Sequence, residues 1–341
     1  MILQFRLGPW TMAGTAAPAR PGQTARLDAL SCLAAAGLIL ATFAQTYILP
    51  AVQPVENDSA RLATATGPLS TAEPYVNERL FAFYIAQPFY YRSNVHFVRN
   101  DDTDVVFKKM GWDGDALMPP IDGGVRVVKW RHNLGFMIDF LHNKAVSRLG
   151  KGAHGRKIAS PIIETVEVEG RIAGKPAPKE LKLTDFFERF EFTHGHNVLI
   201  ATPMARLGEV YPGVRPYFGI GAGVAIPHVE VWYPGQDKAT RTNEYQYAGP
   251  ATQLLAGLEL RHGNISYFLE YKFSYAWIAG SLTGDQSWMN FNMPGDLLRQ
   301  FRRWLSGEPA KEGHFETTLG AHQIATGIGY WIKGRQPAPA P

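Results

Sequence analysis

From Arg79 to Ile332 the apolar positions of the chain recur at every second residue, in segments long enough to cross a bilayer as tilted strands. The segment Ile265 to Ile278 shows this most plainly. Its odd positions are Ile265, Tyr267, Leu269, Tyr271, Phe273, Tyr275 and Trp277, and its even positions include Ser266, Glu270, Lys272 and Ser274. Successive strand side chains point to opposite faces, so this strand has an apolar face with aromatic ends and a polar face. The same reading predicts strands over Arg79 to Tyr90, Gly123 to Arg131, Leu134 to Lys144, Arg189 to Arg206, Val214 to Glu230, Tyr245 to Arg261 and Phe315 to Ile332, eight in all.

The Val214 to Glu230 strand is unusual. Gly219, Gly221 and Gly223 alternate with Phe218, Ile220, Ala222, Val224 and Ile226, so one face is apolar and the other bare. The glycines are read as scaffold, leaving lumen space for larger residues such as Glu270 and Lys272 on other strands. A nucleotide-binding glycine loop is the competing reading. It needs a helix after the glycines, whereas this segment runs on as a strand.

The connections alternate too. Those at 132, 211 and 263 are short, and those at 92–120, 147–188, 233–244 and 279–314 are longer. Short turns on one side and long loops on the other are the asymmetry of an outer-membrane barrel. The expected fold is therefore all-β: an eight-stranded antiparallel transmembrane β-barrel with long external loops. A soluble eight-stranded barrel of lipocalin type would need polar outward positions where this chain has Tyr, Leu and Phe. Part of the 147–188 insertion, Ile162 to Arg171, can form a small hairpin arm.

The ends read differently. Residues 1–44 form a signal peptide or N-terminal apolar segment: Arg6, Arg20 and Arg26 precede the apolar run Leu27 to Leu40, and Thr42-Phe43-Ala44 offers a small-x-small cleavage site. An uncleaved anchor is the alternative. Residues 45–78 read as a flexible linker, 79–332 as the barrel and 333–341 as a disordered tail. Composition agrees, with 12% aromatics, 34 glycines and 24 prolines among 341 residues and only 19% charged. A net charge of +4 is mild and gives no case for nucleic acid. The single cysteine, Cys32, leaves the barrel without disulfide or thiolate chemistry. The expected state is a monomer in outer-membrane lipid.

The topology gathers five of the ten histidines, His142, His194, His196, His228 and His322, at the outer rim. Several share parity with lipid-facing residues, unless a bulge intervenes. Imidazoles shuttle protons, and neutral ones beside a carboxylate can bind a divalent cation. The catalytic candidates are His142, His194, His228 and His322 with Glu230 as carboxylate partner; the metal candidates are His194, His196, His228 and Glu230. The alternative is that histidine is simply tolerated at a polar interface. The inward polar residues Asp139, Gln253, Glu259, Arg261, Glu270 and Lys272 read as structural pairs. In the last loop Leu297, Leu298, Phe301, Trp304 and Leu305 follow helical spacing, with Arg299, Arg302 and Arg303 interleaved. This is either a basic amphipathic helix in the membrane interface or a lid packed on the barrel mouth.

Several motifs carry a resemblance: GWDG with MPP (Gly111–Gly114, Met118–Pro120), EFTHGHN (Glu191–Asn197), PYFGIGAGVAIPHVEV (Pro216–Val231), YQYAGPATQ (Tyr245–Gln253), EYKFSY (Glu270–Tyr275) and HQIATGIGYW (His322–Trp331). Over residues 79 to 332 the chain resembles the lipid A oxidase-like outer-membrane proteins of rhizobial-type bacteria. The resemblance implies an eight-stranded barrel, with lipid A or lipopolysaccharide as partner. It also implies oxygen-dependent oxidation of the proximal glucosamine of lipid A to 2-aminogluconate, with molecular oxygen as co-substrate and a divalent metal cation assisting. It supplies no catalytic residues. A long N-terminal extension and a tail after Tyr330-Trp331-Ile332 depart from the pattern. A non-catalytic barrel with a structural or partner-binding role is the alternative function.

Overall fold

A computed structural model describes residues 77–152, 162–287, 289, 292–308 and 310–333. The expected signal segment, nearly all of the linker and the tail beyond 333 lie outside the described residues. The strands are β1 (Asn77–Tyr90), β2 (Ser93–Arg99), β3 (Thr103–Met110), β4 (Trp112–Asp113), β5 (Gly123–Arg131), β6 (Leu134–Ser147), β7 (Thr165–Ile172) and β8 (Lys175–Pro176). They continue as β9 (Glu180–Lys182), β10 (Arg189–Arg206), β11 (Val214–Ala225), β12 (His228–Trp232), β13 (Thr242–Tyr245), β14 (Gly249–His262), β15 (Ile265–Leu282) and β16 (Gly313–Lys333). Two helices, α1 (Leu183–Phe186) and α2 (Met293–Ser306), sit in the loops.

Eight of these strands close on themselves in the order β1, β5, β6, β10, β11, β14, β15, β16, and β16 returns to β1 in antiparallel register from Glu78↔Lys333 to Tyr90↔Ala321. Closure matters because a bilayer offers no hydrogen-bond partners to a free strand edge. The eight expected strands are thus the eight barrel strands. Two were expected to run further as single elements. Val214 to Glu230 breaks at Ile226-Pro227, where proline has no N–H for the ladder, and continues as β12, which pairs with β10 and β13. The Tyr245 to Arg261 strand breaks before Gly249, which takes φ +145° and so leaves β13 free to follow β12.

Alternation decides what each face meets. Phe83, Leu269 and Ile220 are 54%, 57% and 63% exposed, and they lie on the outer surface with Phe136, Tyr267 and Ile328. Inside, the polar partners find one another. The Arg126 guanidinium donates to Glu270 at 2.7 Å, Tyr217 donates to the same carboxylate at 2.8 Å, and Lys272 pairs with Asp139, which also accepts from Tyr84 at 2.8 Å. Arg261 pairs with Glu78 at 2.7 Å, and Glu259 accepts from the Trp331 indole at 3.0 Å. Gln253 donates to Thr202 at 2.7 Å. The six inward polar residues read as structural all have such partners.

The glycines of β11 are scaffold, though for nearer neighbours than Glu270 and Lys272. A Cβ on Gly221 would stand 2.2 Å from Thr202 Oγ1, and one on Gly223 would stand 1.9 Å from the Leu199 carbonyl oxygen. The space they leave is taken by β10, the adjacent strand.

Above the lipid-facing belt the sheet does not stop. The outer end of β16 pairs with β2, β2 with β3, and β3 with β7. The 92–120 stretch, expected as a polar loop, therefore contains three strands, because Val95, Phe97, Val105 and Phe107 alternate within it and are fully buried. The Ile162 to Arg171 stretch, expected to form a hairpin arm by itself, is instead one strand of the arm, β7, whose partners β8 and β9 follow it in the chain, and β7 is joined to β3. Their inner faces meet an aromatic cluster. Phe97 stacks on Phe315 at 5.4 Å between centroids, Phe187 on Phe190 at 5.2 Å, and Trp112 lies 5.6 Å from Phe192. Burial of rings of this size is the largest favourable term available to the external part.

Candidate functional site

The site begins with an irregularity in β10. Opposite β6 the register slips between Phe192 and His196, and Thr193-His194-Gly195 form a bulge. Gly195 takes φ +117°, and a Cβ there would stand 2.1 Å from Asn197 Oδ1 and 2.5 Å from His142 Nδ1, so the chain can turn here only at glycine. A bulge re-aims the side chains beside it. Below it β10 presents Leu199, Ala201, Pro203 and Ala205 outward. That stretch lies in the lipid-facing belt, and the bulge and the part of β10 before it lie beyond that belt.

The bulge sets His194 against His228 of β12 at 4.6 Å between ring centroids, and His228 meets the Tyr245 ring edge-on at 4.6 Å. The Tyr245 hydroxyl donates to the His194 carbonyl at 3.0 Å. On the β6 side, His142 Nδ1 and Asn197 Oδ1 are 2.8 Å apart. An amide oxygen only accepts, so with the amide in this orientation His142 carries its proton on Nδ1 and its Nε2 lone pair is the basic one. That Nε2 is buried. The Asn197 amide donates onward to the Ile226 carbonyl at 3.3 Å, tying the bulge to the break between β11 and β12.

Behind the histidines stands an ionic group. Glu230 is 1% exposed and accepts from Arg189 at 2.9 Å, with the Arg241 guanidinium at 3.1 Å. Glu191 lies opposite it in the ladder and accepts from Thr193 at 2.8 Å. Burial, and then the Glu230 charge, push the Glu191 carboxyl up to about 8. Burial lowers His194 while Glu230 opposes the shift. Neutral imidazoles beside a proton-holding carboxyl can accept and pass on protons.

Three of the four catalytic candidates, His142, His194 and His228, are thus brought to one place, with Glu230 beside them. His322 is not with them. It lies on β16, four strands around the wall from β10 in either direction, facing outward between the hydroxyls of Tyr91 and Tyr271. His196 is also apart. The bulge leaves it pointing into the lumen, with the Tyr90 ring at 6.2 Å and the Phe192 ring at 6.5 Å. Among the described residues no three His, Cys, Asp or Glu side chains are arranged to hold a metal ion. The expected set of His194, His196, His228 and Glu230 is divided by the wall, and its carboxylate is engaged by two guanidinium groups.

Asn197, Glu191, Arg189 and Arg241 belong to the site and were not expected from sequence. Their parts depend on the β10–β12 register, which follows from the bulge. Glu191 and Asn197 do flank the THGH run, and a glycine between two histidines in a strand was the available signal.

The fold and site together define a class: a closed barrel, apolar outside and ion-paired inside, is a transmembrane β-barrel of the outer-membrane type. No family model and no curated protein matches the chain. Among the solved structures similar to it are two outer-membrane proteins. One is the attachment invasion locus protein Ail of Yersinia pestis, in complex with the heparin analogue sucrose octasulfate, at 11% identity over 75% of this chain and 99% of that one, with a TM-score of 0.29. The other is Neisserial surface protein A, at 8% identity over 74% and 95%, with a TM-score of 0.27.

Proposed function

We propose that this outer-membrane barrel oxidises the proximal glucosamine of lipid A to 2-aminogluconate at its external rim. The observation that supports the reading is the convergence of His142, His194 and His228 at the β10 bulge, just beyond the lipid-facing belt of β10, with His142 and His194 partly exposed and His228 buried behind them. In this reading the sugar gives up the hydrogen on C1 and the anomeric hydroxyl proton. The two electrons and two protons pass to dioxygen, leaving hydrogen peroxide, and water opens the resulting lactone. The protein orients the head group and moves protons. His142 and His194 are the partly exposed imidazoles, and His228, buried against His194, leads the proton inward toward the Glu191–Glu230 pair. The described residues do not form a ligand set for a divalent cation, so no step is assigned to one.

A non-catalytic barrel is the second reading, and the engagement of Glu230 by Arg189 and Arg241 favours it. Mass spectrometry of lipid A separates the two. A deletion strain restored with the wild-type chain should carry lipid A heavier by one oxygen atom, and restoration with the His194→Ala, His228→Ala double variant should not. Identical lipid A in deletion and restored strains would leave the non-catalytic reading.

A further inference from the structure

Helix α2 is built the wrong way round for a helix packed on a soluble protein. Its polar residues face the protein. Asp296 is fully buried and accepts from the Tyr245 backbone N–H at 3.0 Å. Gln300, 5% exposed, accepts from the Tyr247 N–H at 2.8 Å and donates to the Tyr247 carbonyl at 3.0 Å. Arg299 and Arg303 reach Glu244, whose side chain is wholly buried, at 3.0 and 2.6 Å. Asp296, Arg299, Gln300 and Arg303 follow the spacing of a single helical face. The opposite face is apolar and bare: Leu298 is 50% exposed, Phe301 52%, Trp304 58% and Leu305 73%.

That bare face continues the outer wall. Trp304 meets Tyr247 edge-on at 6.0 Å. Tyr247 is exposed and leads through Ala248, whose carbonyl accepts from Ala279 at 2.8 Å, to Trp277 at the upper limit of the lipid-facing face of β15. Tryptophan and tyrosine at this height are the residues of a membrane–water boundary. Arg302 is exposed beside the apolar residues and is not among the arginines engaged by Glu244.

We infer that α2 is an interfacial foot: its Leu298, Phe301, Trp304, Leu305 face lies in the outer leaflet at the boundary of head groups and acyl chains, with Arg302 directed to lipid phosphates. The occupant is the lipid surface. The polar face is already satisfied by the protein, the apolar face is continuous with a wall that lipid covers, and the exposed cation complements an anionic leaflet. The inference rests on the membrane-barrel reading and is independent of any chemistry at the histidines.

The test uses the full chain with Cys32→Ser, reconstituted in phosphatidylcholine vesicles containing phosphatidylglycerol. A nitroxide is attached at Phe301→Cys and, separately, at Glu308→Cys, beyond the helix end. Retention of the heat-modifiable band on gels shows that each barrel is folded. At 301 the nitroxide should collide more often with oxygen than with a water-soluble nickel chelate, placing it ~5–10 Å below the phosphates; at 308 the preference should reverse. Three results would overturn the inference. Equal nickel access at 301 and 308 would put the face in water. Protection at 301 from both reagents would mean that protein covers it. Spin–spin broadening that grows with protein-to-lipid ratio would mean that a second copy does.

Discussion

Glu191 and Glu230 stand directly opposite each other on β10 and β12, their carboxyls hydrogen bonded across the ladder. Two buried carboxylates this close cannot both hold a charge cheaply, even with Arg189 and Arg241 nearby. Glu191 therefore keeps its proton up to about 8, against 4.5 for an ordinary glutamate. Between those values the folded rim binds a proton that the opened rim releases. The Glu191 contribution to rim stability is then greatest below about pH 4.5 and falls as pH rises toward 8, while His194, which burial lowers from 6.5, contributes in the opposite sense as pH falls through 6.5. Hydrogen exchange of peptides spanning β10 and β12, corrected for intrinsic rates, should show protection declining over that window. Glu191→Gln should flatten the decline, and an unchanged slope would separate the effect from Glu191.

Placement of the histidines predicts an asymmetry in activity. His194→Ala should abolish any oxidised lipid A, and His322→Ala should leave it near the wild-type level, because His322 lies on the opposite wall. Mass spectra of lipid A from two restored strains decide the matter. Equal loss in both would mean that the rim histidines act through barrel assembly.

The lumen makes a stability prediction. Lys272 is fully buried between Asp139 and Glu270, the latter at 3.5 Å. Lys272→Met removes the cation and leaves Asp139 buried without it, a change that costs about 3–5 kcal/mol. Adding Asp139→Asn should restore much of that loss. Urea unfolding from vesicles, followed by tryptophan fluorescence, measures both, and additive losses would argue against a coupled pair.

Much of this architecture was legible in the chain because lipid enforces it. On Ile265–Leu282 a slip of one residue would turn Glu270 and Lys272 into the bilayer, so period and register are both fixed by the two faces. The external part has no such solvent rule. Val95, Phe97, Val105 and Phe107 alternate over short stretches among Asn100, Asp101 and Asp102, and only the aromatic core above the barrel reveals which face they bury. The site fails to be legible for a third reason. His194 and His196 are two residues apart and so share a face in any regular strand, yet the bulge at Gly195 sends one outward and the other into the lumen.

Close approach of β10 to β11 gives a fourth expectation. A side chain at position 223 would meet the Leu199 carbonyl, which is backbone and cannot swing aside. Gly223→Val should fall at or beyond the upper end of the roughly 1–3 kcal/mol that overpacking costs, and little folded barrel should reach the membrane. Gly208→Ala, where an added Cβ meets nothing within 4 Å, should fold normally. The heat-modifiable fraction in isolated membranes compares the two.

Gln300 has a consequence of another kind. β13 has a strand neighbour on one side only, β12, and a far edge left open would recruit a strand from another molecule. The Gln300 amide donates and accepts at Tyr247 as a peptide group would, Asp296 takes the N–H of Tyr245, and Asp285 and Ser287 bond to Asn243 through their backbones. A helix side chain thereby stands in for the missing strand. The ladder ends there without twisting away or closing into a ring, and its growth is quenched on the same element that turns its greasy side to the lipid.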